Sequence, residues 1–383
     1  MVVTVRTVDL NVVFAGNALA DVLSARGQVE ADGGWPTCSV FVTAKPTVGN
    51  EEDDIQVTAG AGNNVVRFTG KLRRFRTSGF PKALEMVCMG SLAYAAEWAP
   101  AENLVYDQAV AAFVSEDAVT GVDFGVSDQQ LIAAVLERVP RLAGTYTLGD
   151  IGGTGIALGN LAPEAFLWRA GTSAWSYIQQ LDRATLYRTY QTQDGTVRRI
   201  KMIGHPNSTS DFTLDESDVL DGSTGNRDTE RTRNAVTVLG YDYGDDKGGP
   251  VANFDGTYGA NDFLGDASNP ATRYPEEFNS PLIESGTQED GTPDGTEGLN
   301  AHDIAEQVLL DVNKEFVEAT VLSWRDDTHG PGLTCLLNCL NRLAIGEPMW
   351  VQGYSWDISE DGWQATYRLS GGGLEQTYAT PEI

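Results

Sequence analysis

Apolar and polar positions alternate along much of the first hundred residues. In Val65–Arg73, Val66, Phe68 and Leu72 alternate with Arg67, Thr69, Lys71 and Arg73, the period of a strand with one buried face. Similar patterning predicts strands near Thr4–Phe14, Thr37–Ala44, Ile55–Val57 and Leu84–Gly90, set apart by turns rich in Gly, Asp and Asn. The end of the chain carries the same signal. Trp350, Gln352, Tyr354, Trp356 and Ile358 share one face of a strand that follows a Gly346-Glu-Pro turn. Trp363, Ala365, Tyr367 and Leu369 share a face of the returning strand, so Ser359–Gly362 closes a hairpin with one apolar side.

Between these ends the period changes. Ser127 and Gln130 form a capping box before a helix with the stripe Leu131, Ile132, Val135, Leu136 and Val139, ended by Pro140. A shorter helix is expected around Asp107–Val114. Thr172 or Ser173 caps a helix carrying Trp175, Ile178 and Leu181, and Asp194-Gly195 turns a hairpin of Leu186–Thr192 and Thr196–Met202. Asn234–Gly240 returns to strand. Residues 243–299 lack periodicity and are rich in Gly, Asp, Asn, Pro and Thr, which predicts a long acidic loop. Asn300 and Asp303 open a helix with Ile304, Val308 and Val312 on one face, followed by a strand at Phe316–Trp324 and a Gly330-Pro-Gly332 turn.

The chain has 383 residues, too many for one ordinary core. Its formal charge of -28 argues against a protein that grips nucleic-acid phosphates, which takes Lys and Arg. Such a surface keeps a large assembly soluble, or lines a passage with an acidic wall along which DNA slides without sticking. Against this background Arg67, Lys71, Arg73, Arg74 and Arg76 stand out, five of the 26 cationic residues within ten positions. They read as a solvated strand edge guarded by charge, or as an interface to an acidic neighbour, most naturally another copy of the chain. No run of about 18 apolar residues is present to span a bilayer, and Met1–Arg6 has no signal-peptide pattern, so assembly in the cytoplasm is expected.

Little points to chemistry. His205, His302 and His329 fall in no catalytic or metal-binding pattern, and no nucleophile elbow, zinc helix or Walker motif occurs. Gly152–Gly155 lacks the Gly-Lys-Ser/Thr ending of a phosphate loop. The Asp290–Gly295 run has Thr292 and Ala301 where a calcium loop needs acids. Cys335 and Cys339 could share a metal only on a helix, and with Cys38 and Cys88 they read as buried thiols. The acid pairs Glu360/Asp361 and Asp326/Asp327 read as turn residues. No catalytic residue, cofactor or metal is therefore expected. The rival reading is a secreted or surface carbohydrate-binding or carbohydrate-active β protein that uses acids such as Glu360 and stacks sugars on aromatics such as Trp356.

In order, the Val65–Leu72 strand, the Trp175 helix with its Asp194-Gly195 hairpin, Asn234–Gly240, the His302–Val312 helix and the Gly346-Glu-Pro segment resemble the bacteriophage tail-tip and baseplate hub family. That family includes the late control protein D group. The resemblance covers nearly the whole chain and implies a mainly β fold with α+β insertions. It places one tail-tube-like β-barrel at 1–100, peripheral α+β domains at 101–230 and a second barrel at 231–383. It further implies a non-enzymatic virion protein at the tail tip, a homotrimer adapting a sixfold tube to a threefold tip. Partners would be the distal tail or tail tube ring, the tape-measure protein and a central tip or fibre protein. DNA would be passing cargo only, without stable membrane insertion. A tube or distal ring subunit would share these features. The 243–299 insertion departs from the family, and no appended lytic or needle domain is present in the sequence.

Overall fold

The computed structural model describes residues 9–371 apart from 32, 61–64, 78–82, 121–125, 145–146, 152–162, 203–205, 207–208, 229–231, 234, 243–248, 255–274, 285–300, 313–314, 325–329 and 360–361. The first stretch is all strand: β1 (Leu10–Phe14), β2 (Asn17–Ala18), β3 (Val22–Glu30), β4 (Thr37–Val42), β5 (Asp54–Ala59), β6 (Val65–Thr77) and β7 (Leu84–Met89). β3 had no counterpart in the sequence reading.

Next come α1 (Ala93–Glu97), β8 (Leu104–Asp107), β9 (Ala112–Ser115), α2 (Asp128–Arg138), β10 (Thr147–Ile151), β11 (Leu167–Trp168), α3 (Ala174–Thr185), β12 (Tyr187–Gln191) and β13 (Thr196–Lys201). The capping box of α2 forms as expected, with Gln130 N donating to Ser127 Oγ and the Gln130 side chain accepting from Ser127 N. Ser173 is the cap of α3. The helix expected at Asp107–Val114 is instead a hairpin: Asp107 takes bonds from the Ala109 and Thr120 amides, and β8 and β9 pair antiparallel. A side chain that satisfies turn amides offers the backbone an alternative to helix.

β14 (Phe212–Asp215) and β15 (Thr224–Asp228) precede β16 (Ala235–Asp242), β17 (Gly249–Phe254), β18 (Pro275–Glu284) and α4 (Ala301–Val312). β17 and β18 fall within 243–299, so that segment is more than a loop, and both pair with β16. The chain closes with β19 (Phe316–Ser323), β20 (Thr334–Cys339), β21 (Ile345–Ser359) and β22 (Gly362–Ser370). The calcium-like run at Asp290–Gly295, the Gly152–Gly155 loop, His205, His329 and both acid pairs lie outside the described residues.

The architecture is mainly β with α+β parts. Thirteen strands form one sheet in the order β15-β19-β22-β21-β3-β4-β7-β6-β5-β1-β2, with β20 also on β21 and β14 on β20. The two ends of the chain meet where Gly353–Ile358 of β21 runs antiparallel to Ala25–Glu30 of β3. Their buried side chains consequently merge into one cluster, from Val12 and Phe68 to Tyr354, Trp356 and Leu369. A second cluster joins α1, α2, α3, α4 and the small sheets around Trp168, Phe113, Tyr177 and Ile304. There is thus more than one core, but the division runs between the large sheet and the helical layer. β14 and β15, expected among the peripheral elements, pair with the C-terminal strands β20 and β19. Fully buried Arg199 fastens the helical layer internally: its Nε lies 2.8 Å from Asp182, it ion-pairs with Asp128 at the start of α2, and its Nη2 donates to Thr185 at 2.6 Å. Burial raises the Asp182 carboxyl above its ordinary range, against the pull of Arg199.

Candidate assembly surface

The large sheet contains the same arrangement twice. β3-β4-β7-β6-β5 and β15-β19-β22-β21-β20 have the same order, and each neighbouring pair is antiparallel. Finer detail repeats too. The longest strand of each set, β6 or β21, carries one extra residue against the next strand, Arg73 between Leu72 and Arg74 and Gln352 between Val351 and Gly353. Just before that bulge Leu72 exchanges backbone bonds with Asp53 and Glu52, as Val351 does with Leu333 and Gly332. Aligned through these pairs, Gly27 of β3 corresponds to Gly225 of β15. Both glycines sit against bulky neighbours: an added Cβ would lie 2.7 Å from Trp356 Cζ2 at Gly27 and 2.8 Å from Ile345 Cδ1 at Gly225. The repeat stops at the sixth strand, since β1 is antiparallel to β5 whereas β14 is parallel to β20.

One face of the sheet is the core; the other is polar. Across the paired strands, Arg74, Val87, Ser39, Arg26, Asp357 and Gln364 form one row of this second face. Lys71, Met89, Thr37, Gln28, Ser355 and Thr366 form the next. A groove of about 600 Å³ runs over it, with Arg26, Gln28, Ser39 and Asp357 in its walls. Glu85 accepts from Ser39 Oγ at 2.8 Å and lies 3.8 Å from Arg26. Partial burial raises the Asp357 carboxyl, with Arg26 pulling the other way. Lys71, Arg74, Arg76, Arg26 and Arg368 are interspersed here with Asp54, Glu85, Asp357, Glu30, Glu318 and Asp228, so the face carries both signs of charge.

The five basic residues expected to act together are dispersed. A bulge between Val57 and Thr58 makes Arg67 an extra residue of β6, and it turns inward to 1% exposure. There its guanidinium sits 4.2 Å over the Trp363 ring and donates to Tyr354 Oη. Lys71 pairs with Asp54 at 2.7 Å. Arg73 pairs with Glu52 and Glu97 and stacks on Tyr94, tying β6 to α1. Arg74 and Arg76 alone of the five are exposed, and neither makes an ion pair among the described residues.

Cys335 and Cys339 lie on strand β20, and all four thiols are free and buried. Cys38 and Cys88 are opposite one another in β4 and β7, and burial pushes both thiols well up. No cluster of three metal-ligating side chains occurs among the described residues. Trp356, the aromatic expected to stack on sugars if the chain were carbohydrate-active, is buried and stacks instead on buried Trp363, with ring centroids 6.3 Å apart.

This mainly β, internally repeated fold is shared by proteins of phage tails. The tail protein from Neisseria meningitidis MC58 matches over 95% of this chain and 96% of its own, at 12% identity and a TM-score of 0.59. The 43 kDa tail protein of prophage MuSo2 from Shewanella oneidensis matches over 94% and 96%, at 9% identity and 0.55. Prophage tail protein gp18 from Listeria monocytogenes EGD-e matches over 96% and 95%, at 8% identity and 0.55. At these identities the likeness is one of fold. No family model and no curated protein matches the sequence itself.

Proposed function

We propose that this chain is a structural protein of a phage-type tail, a homotrimeric hub at the tail tip that adapts a sixfold tube to a threefold tip. The observation that carries this is the duplicated strand set: one chain holds two equivalent units, so three chains supply six. Along β15-β19-β22-β21-β3-β4-β7-β6 eight strands follow one another without a break. Joined end to end, three copies make a barrel of 24 strands. At a strand spacing of ~4.8 Å its backbone is roughly 37 Å across before tilt is added, wide enough for a DNA duplex. The polar face would line this passage, and its mixture of charges leaves no basic track to hold phosphates. Neighbouring rings of tube or distal tail protein, a tape-measure protein and a central tip or fibre protein are the partners this role calls for. The role needs interfaces and no catalytic residue.

Light scattering on the purified chain tests the reading, with a mass near three times 41.2 kDa expected, alone or with a neighbouring tail protein. A single-chain mass under both conditions overturns it.

A further inference from the structure

We infer that the outer part of β6, Leu72–Thr77, pairs antiparallel with β15 of a second copy of this chain, with Arg74 opposite Asp228. This rests on the ring reading above and gives the seam between copies its residues and register.

The argument uses the junction already present within the chain. Beyond Val351, β21 has β22 on one side and β3 on the other. β6 is the counterpart of β21, and beyond Leu72 it has β7 on one side and no described strand on the other. β15 is the counterpart of β3 and ends the large sheet, with β19 its sole described neighbour. Each edge therefore lacks the neighbour that its counterpart has, and the two missing neighbours are each other. Within the chain the two edges lie at opposite ends of the eight-strand path and are not paired with each other; a second copy can supply both. Head-to-tail joining of this kind closes into a ring when the rotation allows.

The register transfers residue by residue. Within the chain Gly353 faces Glu30, Ser355 faces Gln28 and Trp356 faces Gly27. The corresponding pairs are Arg74 with Asp228, Arg76 with Asn226 and Thr77 with Gly225 of the partner subunit. Charge agrees with this placement, since the exposed Arg74 meets an acid and Arg76 meets an amide, and no like charges are opposed. The backbone agrees as well, because Gly225 provides at the new seam the small residue that Gly27 provides at the existing one. Ala31 N donates to Gln352 O at 2.9 Å, which makes Gln28–Ser355 a pair without mutual backbone bonds. Its counterpart Arg76–Asn226 then has Cα atoms about 4.5 Å apart, within disulfide range.

The test is a full-length chain with Arg76→Cys and Asn226→Cys together, mildly oxidised and resolved under denaturing conditions. Species of two and three linked chains are expected from the double variant and not from either single variant. Arg74→Glu and Asp228→Arg should each weaken self-association by about tenfold or more, with recovery when they are combined. Both sites lie at a strand edge, and an unchanged thermal midpoint of the dilute variants shows that they fold. A chain with a threefold mass that neither cross-links nor responds to the charge reversals overturns this seam and leaves the ring standing. A chain that stays single in mass and uncrosslinked overturns both.

Discussion

Arg67 illustrates how far one residue's role can depart from its place in a charge pattern. Alternation along β6 would expose it, yet the bulge opposite Thr58 turns it over Trp363, where it makes a cation–π contact in a nearly dry setting. Replacing it by Ala empties that volume and should cost about 2–4 kcal/mol, read as a lowered denaturant midpoint. Met fills the space without a charge to desolvate, so Arg67→Met should cost less than about 1.5 kcal/mol. If the two variants are equally unstable, the cation itself is what holds Trp363. Gly27 makes the opposite point, that of a side chain that must be absent. With Thr37 O 3.0 Å and Trp356 2.7 Å from any added Cβ, Gly27→Val should destabilise by roughly 1–3 kcal/mol and loosen the β3–β21 junction in hydrogen exchange. Neither role was legible in the sequence, because a bulge and a close approach are both set by the partner strand.

Among the elements, those with local instructions were readable. Ser127 with Gln130 fixed the start of α2, and Asp194-Gly195 the turn between β12 and β13. β3 was missed because Ala25 and Gly27 give its inward face too little apolar weight to show as alternation. Ala109–Ala112 has the composition of a helix, but the turn bonds to Asp107 and the β8–β9 pairing outweigh that weak propensity. β17 and β18 were hidden by low periodicity and depend on β16 for pairing. The Asp194 turn also carries a pH prediction. Burial raises the Asp194 carboxyl, but bonds from Thr192 and Thr196 outweigh this and hold it below the ordinary value. A depressed folded-state value means that its stabilisation is present above the unfolded pKa and is lost as pH falls through the folded one. Asp194→Asn should therefore lower stability at neutral pH and lose less of it on acidification. Parallel acid limbs for parent and variant would contradict this.

At the scale of the whole molecule, the β-rich ends and helical middle were visible from periodicity, whereas the merging of the two ends into one sheet was not. That merging depends on β3 and on a pairing across more than 300 residues, which no local signal encodes. Of the five basic residues, Arg67, Lys71 and Arg73 are engaged within the chain, and Arg74 and Arg76 lie at the open edge of β6.

Having both units on one polypeptide also sets what such a ring can display. The β16–β18 sheet with α4 is inserted between β15 and β19, and the first unit has nothing similar between β3 and β4. Around a closed collar of three chains, this ornament would recur at every second unit. A circular wall with six even steps inside would then show three knobs outside, giving fittings above and below different symmetries to recognise.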